Sequence, residues 1–379
     1  MIVEKLNAEL NVKNFLEKLD VDARGISILA TKAKTHFISI KALNVGGANI
    51  LKQDALSVGA DLAVPRGTVL AKTPQVDSLL IATTAQLKKL SRKELGQPFG
   101  LKELASKLQA IANVTKPESV EVMGIINANE DSFFSGSRFR DESAIKKIEL
   151  MIEEGAAIID IGGVSSAPNT KRVSVEEELS RVKPICDLIQ KFKLYKKVAF
   201  SIDSYEPEVI EYALKSGFSI VNDITGLEND DLCRVAAKYK AKVVIMHMQG
   251  KPENMQNKPE YINILDEISN FLSSRVRKAI EFGIEDIVLD VGIGFGKTLE
   301  DNLILIKHLE HFLALGYPLL IGASRKSMIA HIDNSSVLNR LGGTLAIHLE
   351  AVRNGASIVR VHDVSEHVQA LKLQKALSL

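Results

Sequence analysis

From Val120 onward the chain repeats one alternation: a short apolar run rich in Val and Ile, a polar cluster, then a stretch with helical spacing. The runs are VEVMGIIN, AIIDIGG, KVAFSIDS, SIVNDIT, KVVIMHM, DIVLDVG, PLLIGAS and SIVRVHD, beginning near residues 120, 157, 197, 219, 242, 286, 318 and 357. Nearly continuous apolar runs of this length predict parallel strands buried on both faces. The segments between them, such as SAIKKIELMIEEG, EPEVIEYALKSG and DEISNFLSSRVRKAIEFG, carry apolar positions three and four apart. Several stop at a glycine (Gly155, Gly217, Gly283, Gly355), which takes the left-handed helix cap cheaply. Eight strand-then-helix units in roughly 260 residues match the count and size of a (β/α)₈ TIM barrel. An open doubly wound sheet, the runner-up, has no reason to stop at eight.

The first part of the chain follows another pattern. ISILATKAKTHFISIKAL predicts one or two strands, KQDALSVGADLAVPRG and DSLLIATT continue an α/β alternation, and SRKELGQPFGLKELASKLQAIANVT predicts a polar loop and a helix leading into the barrel. The expected organisation is a small N-terminal α/β extension over 1–115, with no site-like spacing, and the barrel over 116–379.

Composition narrows the class. A net charge of +1, 46% hydrophobic and 25% charged residues describe an ordinary globular protein with no electrostatic footprint for nucleic acid or membrane. The N-terminal MIVEKLNAEL has no long apolar run, and no stretch reaches the length of a spanning helix, so a cytoplasmic protein is expected. Cys186 and Cys233 have no metal-like spacing and read as small core hydrophobes.

In a TIM barrel the chemistry sits at the C-terminal strand ends. The first run ends at Asn127, the second carries Asp160 and leads into Gly162-Gly163, and the third ends at Asp203. The fourth ends at Asn222-Asp223 and the fifth at His247-Met248. The sixth carries Asp290 and enters GIGFGK, the seventh enters Ser324-Arg325-Lys326, and the eighth carries Arg360 and His362. A single Asp there is as often a helix cap as a ligand. Eight polar strand ends are better read as one shared site, with Asp160 expected to support a loop rather than touch a ligand. Asp203, Asn222 and Asp290 can pair with the donor-acceptor edge of an amino-pyrimidinone ring. Lys326, Arg360 and His362, cationic or able to become so, suit a phosphate-bearing partner.

GIGFGKT has the look of a phosphate loop, but a Walker A spacing requires glycine where Val291 stands. Its glycines read instead as a flexible loop that lets backbone approach a ligand. His308 and His311, three apart on a helix, lack a third ligand and read as surface residues. His348 and His367 fall in helical segments and take the same ordinary reading.

With these segments placed, a resemblance emerges. MGIINANEDSFFSGSRF resembles MGILNVTPDSFSDGG, and GAAIIDIGGVSSAP resembles GADIIDIGGESTRP, of the dihydropteroate synthase family. SIDSY, IVNDITG, VIMHMQGKPENMQ, LDVGIGFGKT, GASRKSMI and IVRVHDV complete the likeness across the barrel. It implies condensation of 6-hydroxymethyl-7,8-dihydropterin pyrophosphate with p-aminobenzoate, giving 7,8-dihydropteroate and pyrophosphate with Mg²⁺, in a homodimer. By position, it implies that Asp203, Asn222, Asp290 and Lys326 hold the pterin, lined by Met248 and Phe295. Asn127, Arg360 and His362 are implied for the pyrophosphate, with Asn127 at the Mg²⁺. Phe133, Ser165, Ser166, Pro168 and Ser324 are implied for p-aminobenzoate. The chain departs from the family pattern at Asn129, Glu130 and Ser135 in the first loop, Ser166 and Ala167 in the second, and Val291 after the sixth strand. A folate-dependent methyltransferase and a non-catalytic pterin binder are the competing readings. The SRK and RVHD segments argue against the first, and the complete Lys326, Arg360 and His362 set against the second.

Overall fold

A computed structural model describes residues 1–7, 10–128, 141–164 and 173–377. The chain divides into two compact units, Lys116–Gln374 and Met1–Thr115 with the chain end from Lys375.

In the first unit β1 (Thr35–Asn44), β2 (Asp61–Ala63) and β3 (Gln75–Thr83) form an antiparallel sheet in the order β1-β3-β2. Its helices are α1 (Val12–Lys18), α2 (Ala23–Ala33), α3 (Val45–Ser57), α4 (Thr84–Glu94) and α5 (Leu101–Ala112). Leu51, Leu80, Leu87, Leu90, Leu101 and Leu108 are fully buried in its core. One expectation is corrected. The segment ISILATKA belongs to helix α2, because the Asp22 side chain accepts hydrogen bonds from the Arg24 and Gly25 amides and so nucleates a helix. Only the following THFISIKAL is strand. SRKE likewise finishes α4 instead of forming a loop.

In the second unit the eight apolar runs are eight parallel strands in a closed barrel. They are β4 (Glu121–Asn127), β5 (Ile158–Gly162), β6 (Ala199–Asp203), β7 (Ile220–Asp223), β8 (Lys242–Met246), β9 (Ile287–Asp290), β10 (Leu319–Ile321) and β11 (Ile358–Val361). Neighbours in the chain are neighbours in the barrel, and β11 pairs with β4 to close it. Between the strands run α6 (Asp141–Glu153), α7 (Val175–Phe192), α8 (Pro207–Lys215), α9 (Asp230–Lys238), α10 (Ile264–Glu281), α11 (Leu299–Lys307), α12 (Ser327–Asp333) and α13 (Leu341–Arg353), and α14 (Val364–Leu377) follows β11. Gly155, Gly217, Gly283 and Gly355 all have positive φ (83–101°), as their place at helix ends requires. Cys186 and Cys233 are buried thiols, and burial pushes both above the usual thiol range.

A strand turns alternate side chains to opposite faces, so residues two apart share one. Met123, Ile158, Ile220, Val244, Val288, Leu320 and Ile358 form one buried cluster, with Ala199 packed against it. Every strand thus contributes one residue to an apolar floor. Two residues further along each strand lie Ile125, Asp160, Ser201, Asn222, Met246, Asp290, Gly322 and Arg360. Two further again come Asn127, Asp203, Met248, Ser324 and His362. The polar strand ends therefore face the interior because of strand periodicity above an apolar floor.

Candidate active site

The charged groups of the middle layer are tied across the barrel. The Arg360 guanidinium donates from Nε to Asp160 Oδ2 and from Nη2 to Asp203 Oδ2, each at 2.6 Å. Asn222 Nδ2 donates to the same Asp160 oxygen at 3.2 Å. Asp160 is fully buried, and its role is larger than loop support: it anchors an arginine and an amide from two other strands. Asp160 Oδ1 and Ser201 Oγ, in the same layer, have no hydrogen-bond partner among the described residues. Two carboxylates share one guanidinium here, leaving an uncompensated negative charge in a poorly solvated place. Burial, with Asp160 and Glu178 nearby, raises Asp203 despite Arg360. Arg360 is held firmly in its charged form by the same two acids.

Asp290 is buried and likewise raised by burial, while its Oδ1 accepts from the Gly292 amide at 2.7 Å. Lys326 enters from the loop after β10. Its ammonium donates to the Ile293 carbonyl and lies 4.4 Å from the centroid of the Phe295 ring. That is cation–π range. Burial lowers Lys326 to about 8, with Asp290 opposing. Lys326 therefore meets Phe295 while also feeling the charges of Asp290, Arg360 and Asp203.

Asp223 shows the other fate of a strand-end acid. It lies one residue out of phase with the interior set, and its carboxylate accepts from the Thr225 hydroxyl and from the Thr225 and Leu227 amides. It is a turn cap, while Asn222 is an interior group.

Ser324 and His362 are brought together. Ser324 Oγ accepts from the His362 amide at 3.3 Å and sits 2.8 Å from His362 Nδ1. The Ser324 hydroxyl and His362 Nδ1 thus share one hydrogen bond, which either can donate. Burial and Arg360 lower His362 to about 3. The cationic form that His362 can adopt is thus disfavoured in this setting. Arg325 is not a ligand group. It is buried with φ +55°, paired to Asp363 by Nε at 2.9 Å and Nη2 at 2.7 Å, and donates to the Val337 and Leu338 carbonyls.

Two of the glycines after β9 are required by the neighbouring backbone. A Cβ on Gly292 (φ +69°) would stand 1.9 Å from the His247 carbonyl, and one on Gly296 would stand 2.4 Å from the Gln249 carbonyl. They allow close approach to the segment that follows β8. Lys297 completes this joint, donating to His247 Nδ1 at 3.0 Å, His247 O at 3.3 Å and Phe295 O at 2.8 Å. Burial brings Lys297 down to about 7.

Lys297, Glu178, His348 and His367 are buried groups to which the sequence reading gave no part in the site. Glu178, on α7, is raised to about 7 by burial. A usable signal existed for His348: Thr344, His348 and Ala351, at i, i+4 and i+7, make the buried stripe of α13. For the others, linear spacing carried none. His308 and His311 are exposed, as expected, with His311 Nε2 3.0 Å from Ser269 Oγ. Phe133, Ser165, Ser166 and Pro168 lie outside the described residues.

Comparison with known proteins places this geometry. The profile of the pterin binding enzyme family matches residues 123–362. The bifunctional dihydropteroate synthase/dihydropteroate reductase of Helicobacter pylori is 41% identical over 377 residues, covering 100% of this chain and 99% of that protein. The dihydropteroate synthase of Synechocystis is 42% identical over 261 residues, 68% of this chain and 89% of that protein. Among solved structures, Yersinia pestis dihydropteroate synthase in a sulfonamide drug complex superposes with a TM-score of 0.66 at 35% identity, covering 70% of this chain and 98% of that one.

Proposed function

The chain belongs to the pterin binding enzyme family and has the transferase activity of a dihydropteroate synthase, and from that premise we propose how its own residues carry the reaction. The observation that supports the assignment is the layered mouth, where Asp160, Asp203, Asn222, Asp290, Lys326 and Arg360 converge above an apolar floor. Asp203, Asn222 and Asp290 accept from and donate to the amino-pyrimidinone edge of the pterin, and Lys326 addresses its carbonyl side. Met248 and Phe295 pack on the ring. The carboxylates, raised toward their neutral forms by burial, are stabilised by ring N–H donors on binding.

The bond from the pterin methylene carbon to the pyrophosphate oxygen breaks, and a bond from that carbon to the amine nitrogen of p-aminobenzoate forms. The amine releases one proton, and pyrophosphate leaves with the electron pair. Arg360 Nη1, which neither acid engages, and the His362 ring stabilise the departing charge. Asp203 and Asp290 stabilise the positive charge developing on the pterin. The incoming aniline is already a nucleophile and needs chiefly orientation, supplied by Ser324 together with Phe133, Ser165, Ser166 and Pro168.

Mg²⁺ fits this donor set as an ion carried by the substrate. Among the described residues no group of three His, Cys, Asp or Glu side chains could hold a metal. Asn127, at the end of β4, offers a hard amide oxygen, and Mg²⁺ binds with few protein ligands beside phosphate oxygens and water. When bound, it neutralises charge on the pyrophosphate.

We further assign the synthase to 116–379 and a supporting role to 1–115, in a cytoplasmic homodimer that sulfonamides inhibit by taking the p-aminobenzoate place. No helix among the described residues is long and apolar enough to cross a membrane. A second reading concerns the first unit. The Helicobacter protein, named for a reductase activity as well, matches the whole chain, whereas the Synechocystis synthase matches 68% of it. This supports reduction of dihydropteroate by a hydride donor as an additional activity.

The deciding experiment incubates the protein with the pterin pyrophosphate, p-aminobenzoate and Mg²⁺, following dihydropteroate and pyrophosphate, beside a Lys326→Ala sample. Turnover that needs both substrates and falls in the variant supports the assignment; absence of pterin binding overturns it. Dihydropteroate with reduced nicotinamide tests the second reading.

A further inference from the structure

Two histidines that the substrate-binding scheme does not use lie behind the loop after β10. His348 on α13 and His367 on α14 are each 1% exposed. Their position on helices suggested ordinary surface residues, but all four of their ring nitrogens are hydrogen bonded inside the unit. The Ala323 amide donates to His348 Nε2 at 3.0 Å. His348 Nδ1 stands 2.9 Å from His367 Nε2, and His367 Nδ1 stands 2.5 Å from the Asp363 carbonyl oxygen. A backbone amide only donates and a carbonyl only accepts, so the end groups dictate every proton between them. His348 must carry its proton on Nδ1, His367 must accept at Nε2, and His367 must donate from Nδ1.

The row of bonds joins two places that matter to the mouth. Ala323 directly precedes Ser324, Arg325 and Lys326, and the Lys326 amide donates to the Ala323 carbonyl at 3.3 Å. Asp363 directly follows His362 and grips Arg325 through two charge-assisted bonds. Thr344, one helical turn before His348, accepts from the Arg325 amide at 2.9 Å. Both ends of the relay, and its side support, thus bear on the same loop.

We propose that His348 and His367 form a positioning relay for the synthase reaction. In its doubly neutral form it ties the Ala323–Lys326 loop to Asp363 and so places Ser324, Lys326 and His362 on the substrates. The proposal rests on the reading that those three residues hold the substrates. A proton added at His348 Nε2 would oppose the Ala323 N–H, and one added at His367 Nε2 would oppose the His348 Nδ1–H. Facing His348 are His367, Lys326 and His362, which with burial disfavour its charged form. Facing His367 are Asp363, Glu366 and Arg325: the two acids favour its charged form, while Arg325 and burial disfavour it. Burial dominates at both rings, so the relay is complete at neutral pH and opens in acid from the His367 end.

The test has two arms. Full-length protein labelled with ¹⁵N-histidine is examined by NMR at pH 7.5, with the His348→Gln variant assigning one ring. Both rings are expected as neutral Nδ1–H tautomers. An Nε2–H tautomer or an imidazolium at either ring overturns the relay, whether or not the protein turns over substrate. In the second arm His348→Leu is compared with His348→Gln, which restores an acceptor for the Ala323 amide. The leucine variant is expected to lose about tenfold or more in kcat/KM for the pterin pyrophosphate, and the glutamine variant to stay within about threefold of the parent. Equal losses in the two, or a lowered Tm with unchanged kcat/KM, would reduce the pair to packing and overturn the proposal. If His348→Leu does not fold, the same comparison is made with His367→Leu and His367→Gln. A parent protein with no synthase turnover defeats the functional reading, and the tautomers still decide the relay.

Discussion

The floor and the mouth of the barrel are made by the same eight strands two residues apart, yet they answer to opposite physics. In the floor Met123, Ile158, Ile220, Val244, Val288, Leu320 and Ile358 remove apolar surface from water and need no particular partner. One layer up, Asp160, Asp290 and Asn222 are buried beside the partly exposed Arg360, and polar groups there must be matched individually. Stability comes cheaply in the first layer, whereas the second layer gives up stability to hold charge where a ligand can use it. The difference predicts which substitutions affect folding, which affect turnover, and which affect both.

The largest effect is expected where a charge is stranded. Arg360→Leu leaves Asp160 and Asp203 facing each other without a cation, which for a buried pair costs about 3–5 kcal/mol. Denaturant unfolding should record that loss, and turnover should vanish with it. Adding Asp160→Asn should recover part of the stability without recovering turnover. Equal stability in the single and double variants would mean the two acids do not depend on the arginine.

Leu320→Ala in the floor should cost a comparable ~2–5 kcal/mol of unfolding free energy by opening a cavity, with kcat at 25 °C unchanged. A substantial drop in kcat would break the division between the layers. Lys326→Ala should do the reverse. Loss of one charge-assisted contact amounts to about 1.5–3 kcal/mol, or on the order of 10–100-fold in kcat/KM, with little change in unfolding.

The last contrast is in pH dependence, and its sign separates two kinds of mouth residue. Asp203 is raised from 3.8 to about 7, so between those values the folded chain holds the extra proton. Its contribution to stability is therefore largest in acid and is lost as pH rises through that window. His362, lowered from 6.5 to about 3, acts oppositely: the unfolded chain takes up the proton, and its contribution is lost as pH falls below 6.5. Asp203→Asn should accordingly remove a downward slope between about pH 4 and 7, and His362→Gln an upward slope between about pH 3 and 6.5, both read from urea midpoints. Unchanged slopes in both variants would show that neither titration is linked to folding.

These contrasts mark what one-dimensional pattern can and cannot carry. Eight apolar runs, the glycine stops and the polar strand ends were readable in order, because strand and helix periodicities are local. The same local reasoning failed at ISILATKA, whose β-branched residues suit either element until the Asp22 cap decides for helix. It also could not rank the strand-end acids. Asp160, expected to be peripheral, is the anchor beneath Arg360, while Asp223 is a cap. Those fates depend on whether each residue is in phase with its strand's inward face, which the register across the barrel settles.

The chain's own order of residues determined the barrel, its family and the list of polar groups at the mouth, since each of these is written in periodicity and short motifs. Tertiary structure alone decided their protonation and partners. It disfavoured the charged form of His362, lowered Lys297 and Lys326, set Gly292 and Gly296 against the carbonyls that follow β8, and joined His348 to His367 across two helices. The reason is that a charge's preferred state depends on what surrounds it within a few ångströms, and those neighbours come from strands and helices far apart in the chain.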